Sequence, residues 1–317
     1  MVGYSVLEEV VNGRRKTRRT AWWRWWIAAL GAVTAMAGFA RPAAAQEPPY
    51  FVTYSHALEE PGNLEVEFKG SAASPKNVNA FGGGTLELEY GAKAWWTTEL
   101  YLDGQTTPAD GTVFTGFRWE NRFRPLLGEH WINPVAYVEY EDVNTADRSF
   151  LEVVGNDSVQ DLLLTNAQGR SDVEHELELK AIFSSNAKGW NFSENFISEK
   201  NLSTTEPEPW EFGYAVGAGR PLSLLAGAKP CVFCREHFAA GAELYGGLGT
   251  TDQFGLRQTS QYFGPTVAWD LPSGPTLRFS PNFGLNDNSM GVLWRVSVSY
   301  EIQQAFSRLR RGGKGRF

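Results

Sequence analysis

The sequence predicts an all-β protein, a closed antiparallel up-and-down transmembrane β-barrel of about 12 strands. Three observations carry that expectation. Thr85–Tyr90 reads Thr-Leu-Glu-Leu-Glu-Tyr, with Leu86, Leu88 and Tyr90 on one side of a strand and Thr85, Glu87 and Glu89 on the other. Near-copies of this alternation recur at Leu64–Lys69 and Glu174–Lys180. Beyond the N-terminal segment no run of about 18 apolar residues exists, so no spanning helix is expected, whereas a barrel hides its hydrophobicity at every second position.

The first 45 residues read as a secretory signal peptide. Arg14, Arg15, Lys16, Arg18 and Arg19 form a basic n-region, an apolar run follows from Trp25 to Ala40, and Ala43–Ala45 offers a small-residue cleavage site. Residues 46–62 are then an N-terminal lead, 63–302 the barrel and 303–317 a basic C-terminal tail containing Arg308, Arg310, Arg311, Lys314 and Arg316. The chain carries 29 basic and 36 acidic side chains, a formal charge of −7. Removing the signal, with its seven basic and two acidic residues, leaves 22 against 34, or −12. Such a chain lacks the basic surface a nucleic acid needs, so no nucleic-acid partner is expected.

Strands are expected at 63–71, 83–90, 95–103, 112–124, 132–142, 173–184, 189–199, 209–219, 237–248, 261–270, 275–285 and 291–302. Tight Gly-, Asn-, Pro- or Ser-bearing connections at Gly91–Ala94, Ser185–Lys188 and Leu271–Gly274 alternate with longer ones, the longest being 143–172. Counted from a periplasmic N-terminus, the tight turns fall on the periplasmic side and the long loops outside. Arg220–Glu236 and Asn286–Met290 depart from that pattern. Outward positions include Phe68, Leu88, Val113, Phe117, Trp119, Val138, Phe279, Trp294 and Val296. A lipid-facing Arg or Lys near the midplane costs about 2–4 kcal/mol, so the charges between these positions must share an enclosed interior. Trp95, Trp96, Trp131, Trp190, Trp210 and Trp269 fall near strand ends, where a bilayer has its interfaces.

The interior charges are the main candidate site: Arg118, Arg122 and Arg124 at even spacing on one strand, with Glu87, Glu89, Glu99, Glu139, Arg278 and Arg295 on others. Two arrangements fit them. One is a polar passage whose rings of charge select solutes. The other is a plug of mutually neutralising ion pairs, with loop 143–172 left to contact a ligand or partner. Cys231 and Cys234 are the two cysteines, and an exported chain lets them form a disulfide. No further ligands accompany them, so no metal is expected, and no cofactor. Catalytic residues are not expected either. Of His56, His130, His175 and His237, only His175 lies on an outward face, and Val173 and Leu177 flank it there. G-x-S-x-G, H-E-x-x-H and P-loop motifs are absent.

Leu64–Phe68 and Thr85–Leu100, together with Trp210–Tyr214 and Phe279–Leu285, resemble the strand, Tyr-Gly, turn, strand pattern of bacterial outer-membrane barrels grouped with the MetA-pathway phenol-degradation family. The resemblance spans 63–302 and implies passage of hydrophobic or aromatic small molecules; it brings no catalytic residues. The expectation is therefore a bacterial outer-membrane, porin-like barrel, exported through a cleaved signal peptide. Its partners would be the lipid bilayer, a small-molecule solute and the barrel-assembly machinery.

Overall fold

The structure is a computed structural model and describes residues 48–74, 80–108, 110–147, 154–156, 165–203, 208–222 and 232–306. The expected signal peptide, Cys231 and most of the basic tail lie outside the described residues.

Twelve antiparallel strands close on themselves, each paired with its sequence neighbours and β1 with β12. They are β1 (Leu64–Ala73), β2 (Phe81–Lys93), β3 (Trp96–Thr107), β4 (Gly111–Phe123), β5 (Asn133–Asn144), β6 (Val173–Ala187), β7 (Trp190–Asn201), β8 (Glu211–Pro221), β9 (Phe238–Thr250), β10 (Gln261–Asp270), β11 (Thr276–Gly284) and β12 (Val292–Ile302). Closure gives every strand two partners and leaves no edge. Leu64 stands opposite both Tyr90 and Ile302, so the barrel begins and ends at one rim, the terminal end. Ala305 N–H donates to the Gly62 carbonyl at 3.0 Å, and the Gln304 amide to Asn63 Oδ1 at 3.0 Å, tying the start of the tail to the end of the lead.

The outward face is apolar. Phe68, Leu86, Leu100, Phe117, Trp119, Val138, Phe183, Phe279, Trp294 and Val296 are all exposed, whereas Glu67, Glu87, Glu99, Arg118, Glu120 and Glu139, between them in sequence, are buried. Aromatic residues gather at the terminal rim: Trp95, Trp96 and Phe123 stack on one another, and Phe233 and Phe238 each stack on Trp269. This is where an amphipathic ring meets both hydrocarbon and water.

Two sequence expectations are corrected here. Val113 is not in line with Phe117. A β-bulge sets Asp103 opposite Gly116 and Gly104 opposite Phe114, leaving Thr115 as the extra residue. The inserted residue resets the alternation, so Phe114 is exposed and Thr115 is buried. Gly116 sits at φ 155°, and a Cβ there would collide with the Asp142 carbonyl. Connection lengths also depart from the simple pattern. β3 and β4 run long and meet through 108–110 on the far side, while 124–132 on the terminal side is a longer, exposed connection.

Leu88 tests the face assignment. It points outward between Val66 and Leu100. Leu88→Arg is expected to destabilise the barrel by about 2–4 kcal/mol, and Leu88→Ile by under about 1.5 kcal/mol. Urea-dependent folding into phosphatidylcholine vesicles checks both.

Candidate functional site: the lumen and the segment inside it

The lumen is built from inward side chains of all twelve strands and from a segment that strand periodicity does not describe. Residues 48–62 enter from the terminal rim and fold back inside the barrel. At the deepest point, Phe51, Val52 and Thr53 donate consecutive backbone N–H groups to the carboxylate of Glu243 on β9, at 2.9, 2.8 and 2.7 Å. Asn195 on β7 holds the next residue at both backbone groups, accepting from Tyr54 N–H at 2.6 Å and donating to its carbonyl at 2.9 Å. Just before the Glu243-bound residues, Tyr50 O–H donates to the Asn191 carbonyl at 3.0 Å. A non-regular backbone buried this way must find partners for its polar groups, and side chains of the wall supply them.

Small residues make the room. On β8 the inward positions are Gly213, Ala215, Gly217 and Gly219, between outward Phe212, Tyr214 and Val216. A Cβ on Gly217 would lie 2.8 Å from the Tyr50 ring, and one on Gly219 would lie 2.9 Å from Pro49 Cδ. Phe51 and Val52 join Phe81, Ala215, Tyr245, Tyr262, Met290 and Leu293 in a buried apolar cluster on the far side of Glu243.

The opposite wall carries a row of carboxylates. Glu301, Glu65, Glu89, Glu99, Glu120, Glu139, Glu178, Glu199 and Glu211 each stand directly opposite the next in the strand register, nine residues on nine adjacent strands. The row starts at the terminal rim, and strand tilt carries it to the far mouth at Glu211. Like charges directly opposite destabilise a sheet, and interleaved cations offset the repulsion. Arg122 bonds Glu89 at 2.6 Å, Glu120 at 3.0 Å and also Glu99. Arg118 pairs with Asp103 at 2.9 Å and Glu139 at 3.5 Å, and Lys180 with Glu178 at 2.9 Å. The lead covers the middle of the row: Tyr54 O–H donates to Glu120 at 3.0 Å, and its ring lies beneath Lys180 and Arg122.

The other sequence candidates fall as follows. Glu87 pairs with Lys69, and Arg278 with Glu67 at 2.7 Å. Arg295 is buried near the middle of β12. Arg124 is not part of the inward arginine set. β4 ends at Phe123, so Arg124 sits in the rim connection and bonds the Gly128 carbonyl. Cys234 is disulfide-bonded. The carboxylates of Glu87, Glu89 and Glu99 converge, as do those of Glu141, Glu178 and Glu199, with oxygens within 4.8 Å of one another. Lys69 and Arg122 fill the first group, so side-chain cations already occupy the seats a metal ion would take there, and Lys180 pairs with Glu178 of the second. His175 stacks on Tyr140 and lies 3.1 Å from its hydroxyl.

Space remains beside the lead. An open cleft runs between Pro48–Ala57 and the wall, lined by Glu65, Glu67, Glu87, Glu89 and Glu99 and by Lys69, Arg122 and Arg278. At the far mouth the β5–β6 connection folds inward at two described places. Thr165 caps a short helix, Asn166–Gly169, whose Asn166 is buried against Gln105, Thr107 and Gly111. Gly155 accepts from the Gly249 amide at 3.3 Å and donates to the Phe212 carbonyl at 3.0 Å.

At the rim, His56 of the lead places Nδ1 2.7 Å from Ser184 Oγ and Nε2 3.0 Å from Glu129 Oε2. Burial holds the imidazole below its usual range, against the opposing pull of Glu129, while Arg124 adds to the lowering. For Glu129, the upward push of burial is outweighed by His56 and by hydrogen bonds from Asn133 and Asn186, so its carboxyl sits low.

The fold and this lumen define a class: a transmembrane β-barrel of the bacterial outer-membrane type with its N-terminal segment housed inside. No family model matches the chain, and no curated protein is similar to it in sequence. Among solved structures it is similar to an outer membrane channel from Pseudomonas putida F1, with 12% identity over 81% of this chain and 99% of that one, at a TM-score of 0.51. It also aligns with the translocator domain of the autotransporter NalP from Neisseria meningitidis, with 9% identity over 77% of this chain and 90% of that one, at a TM-score of 0.43. With LpxR from Salmonella typhimurium the figures are 8% identity, 74% and 99%, and a TM-score of 0.38.

Because the His56 pKa is depressed when the lead is docked, its contribution is complete above the free imidazole value of about 6.5 and is lost as pH falls through the lower docked value. A nitroxide on residue 55 is therefore expected to gain mobility as pH drops below about 6.5. The change should be absent in His56→Gln, as read by electron paramagnetic resonance.

Proposed function

We propose that the protein is a passive, cation-preferring channel for small solutes in the bacterial outer membrane. In this reading it is exported through its signal peptide and inserted by the barrel-assembly machinery, with the terminal rim facing the periplasm. The observation that carries the reading is the unbroken row of nine glutamates from rim to far mouth, flanked on the rim side by the open cleft. Rings and rows of carboxylates attract cations and repel anions, and low-dielectric walls focus that field. The docked lead is the constriction, because Tyr54 borders the cleft and lies across the middle of the row. The similar barrel from Pseudomonas putida F1 is described as an outer membrane channel, in keeping with this role. A hydrophobic or aromatic solute, as the family resemblance implies, would meet the apolar cluster around Phe51, Phe81 and Leu293.

A second reading has its own support. The buried ion pairs and the Glu243-bound lead fill much of the barrel, as they would in a plugged structural barrel. Planar-bilayer recording with a salt gradient separates the two. The channel reading expects small unitary conductance with a cation-selective reversal potential, and several-fold larger conductance when residues 48–58 are deleted. Folded protein that gives no events in either form, or an anion-selective reversal potential, would contradict it.

A further inference from the structure

One ladder of the wall is interrupted. Between β10 and β11, Tyr262 and Phe263 pair with Gly284 and Phe283, and Val267, Ala268, Trp269 and Asp270 pair with Phe279, Arg278, Leu277 and Thr276. In the gap, residues 264–266 and 280–282 keep the same register but do not pair, and Pro265 stands opposite Pro281 at its centre. Proline has no N–H, so neither residue can donate across, and proline is ordinarily kept out of central strands for that reason. The neighbours on either side are unaffected: Pro265 still pairs with Ala242 on β9, and Pro281 with Trp294 on β12. The other eleven ladders carry bulges at most, and none of them breaks and resumes in register.

The two faces of this seam match its position between lumen and lipid. Inward, Gly264, Thr266, Ser280 and Asn282 are all buried. Thr266 Oγ1, Ser280 Oγ and Asn282 Oδ1 have no hydrogen-bond partner among the described residues. A Cβ on Gly264 would collide with Asn282 Oδ1 and lie 2.9 Å from Ser280 Oγ, so glycine is what lets the inner surface close. Outward, the exposed side chains of Phe263, Val267, Phe279 and Phe283 frame the two prolines. Behind the seam, Tyr262 lies two residues along β10 from Gly264, and Leu293 stands opposite Asn282 on β12; both belong to the buried apolar cluster that includes Phe51. Apolar surface therefore lies on both sides of the unpaired stretch.

We propose that the seam between β10 and β11 is a lateral portal, through which a small, uncharged, largely apolar solute passes between the lumen and the hydrocarbon of the bilayer. Parting two strands in lipid is ordinarily prohibitive, because each N–H that loses its partner finds no water. Pro265 and Pro281 have no N–H to lose, and the bonds they would have made are already missing from the closed wall. The unpartnered groups of Thr266, Ser280 and Asn282 raise the cost of the closed state, and water or a passing solute satisfies them when the strands part. Opening is drawn from segments of low local stability, and this one is bounded by only two residue pairs toward the far mouth and four toward the terminal rim. The proposal deepens the reading of the barrel as a passage for small solutes: apolar solutes leave through the wall, and ions keep to the axis.

The test uses the full mature chain folded into phosphatidylcholine vesicles. Pro265→Ala combined with Pro281→Ala supplies both missing donors and should complete the ladder. Hydrogen exchange at the flanking Phe263, Val267, Phe279 and Phe283 amides is expected to slow by about tenfold or more in this double variant. An apolar aryl azide dissolved in the bilayer and activated by light reports passage. In the native protein it should label Tyr245 and Tyr262 inside as well as Phe279 outside; in the double variant the inner labelling should fall several-fold and the Phe279 labelling stay the same. Pro265→Cys combined with Pro281→Cys is a second lock, and reducing its bridge should restore the inner labelling. Axial ion conductance, recorded in parallel, should be equal in the native chain and the alanine variant, so a failure of the channel reading shows there and not in the labelling. Three results would each overturn the proposal: no inner labelling in the native protein, equal inner labelling in the native and locked proteins, or native seam amides that exchange as slowly as those of β5 and β6.

Discussion

One carboxylate holds the interior together. Glu243 accepts three consecutive amides from Phe51, Val52 and Thr53, and through them fixes where the lead turns inside the barrel. Hydrogen bonds to a charged acceptor contribute about 1.5–3 kcal/mol each, so this contact is strong enough to order an otherwise irregular segment. Everything on the lumen side follows from its position. Tyr54 is set over the glutamate row, His56 against the rim, and Phe51 between the cleft and a small pocket beside Arg295. The wall itself is independent of this contact, because its hydrogen bonds run strand to strand around a closed circle.

The two sides of the lumen are chemically unequal. Nine glutamates in register run around β12, β1 and β2 through β8, while β9 to β11 offer mainly small, hydroxyl or amide groups inward. The lead lies between them. Cations interleave with the glutamates, and farther along β12 Arg295 stands between two hydroxyls, Ser71 and Ser280, that lack partners among the described residues. A solute inside would therefore feel a field across the lumen as well as along it.

The wall was largely legible from the chain, because a side-chain period of two declares which face meets lipid. Leu86, Leu88 and Tyr90 could be assigned against Glu87 and Glu89 without knowing any neighbour. Two local features broke the rule. The bulge at Thr115 shifted Val113 off the outward face, and the end of β4 at Phe123 removed Arg124 from the interior. The glutamate row was legible only in pieces. Glu89, Glu99 and Glu139 could be placed inward, but a line across nine strands exists only once the pairing register is known, and register depends on turn and bulge geometry. The lead was the largest omission. A coil segment whose amides are taken up by Glu243 and Asn195 has no periodicity to detect. Its one trace is complementary: Gly213, Ala215, Gly217 and Gly219 leave the inward face of β8 nearly bare, which makes sense only if something else fills the space.

The central claim is that Glu243 holds the lead inside the lumen. Hydrogen exchange at the Phe51, Val52 and Thr53 amides, compared between the native protein and Glu243→Ala, tests it most directly. The account predicts slow exchange in the native protein and fast exchange in the variant, with β8 and β9 amides equally protected in both. Fast exchange at these amides in the native protein, or protection unchanged by the substitution, would contradict it.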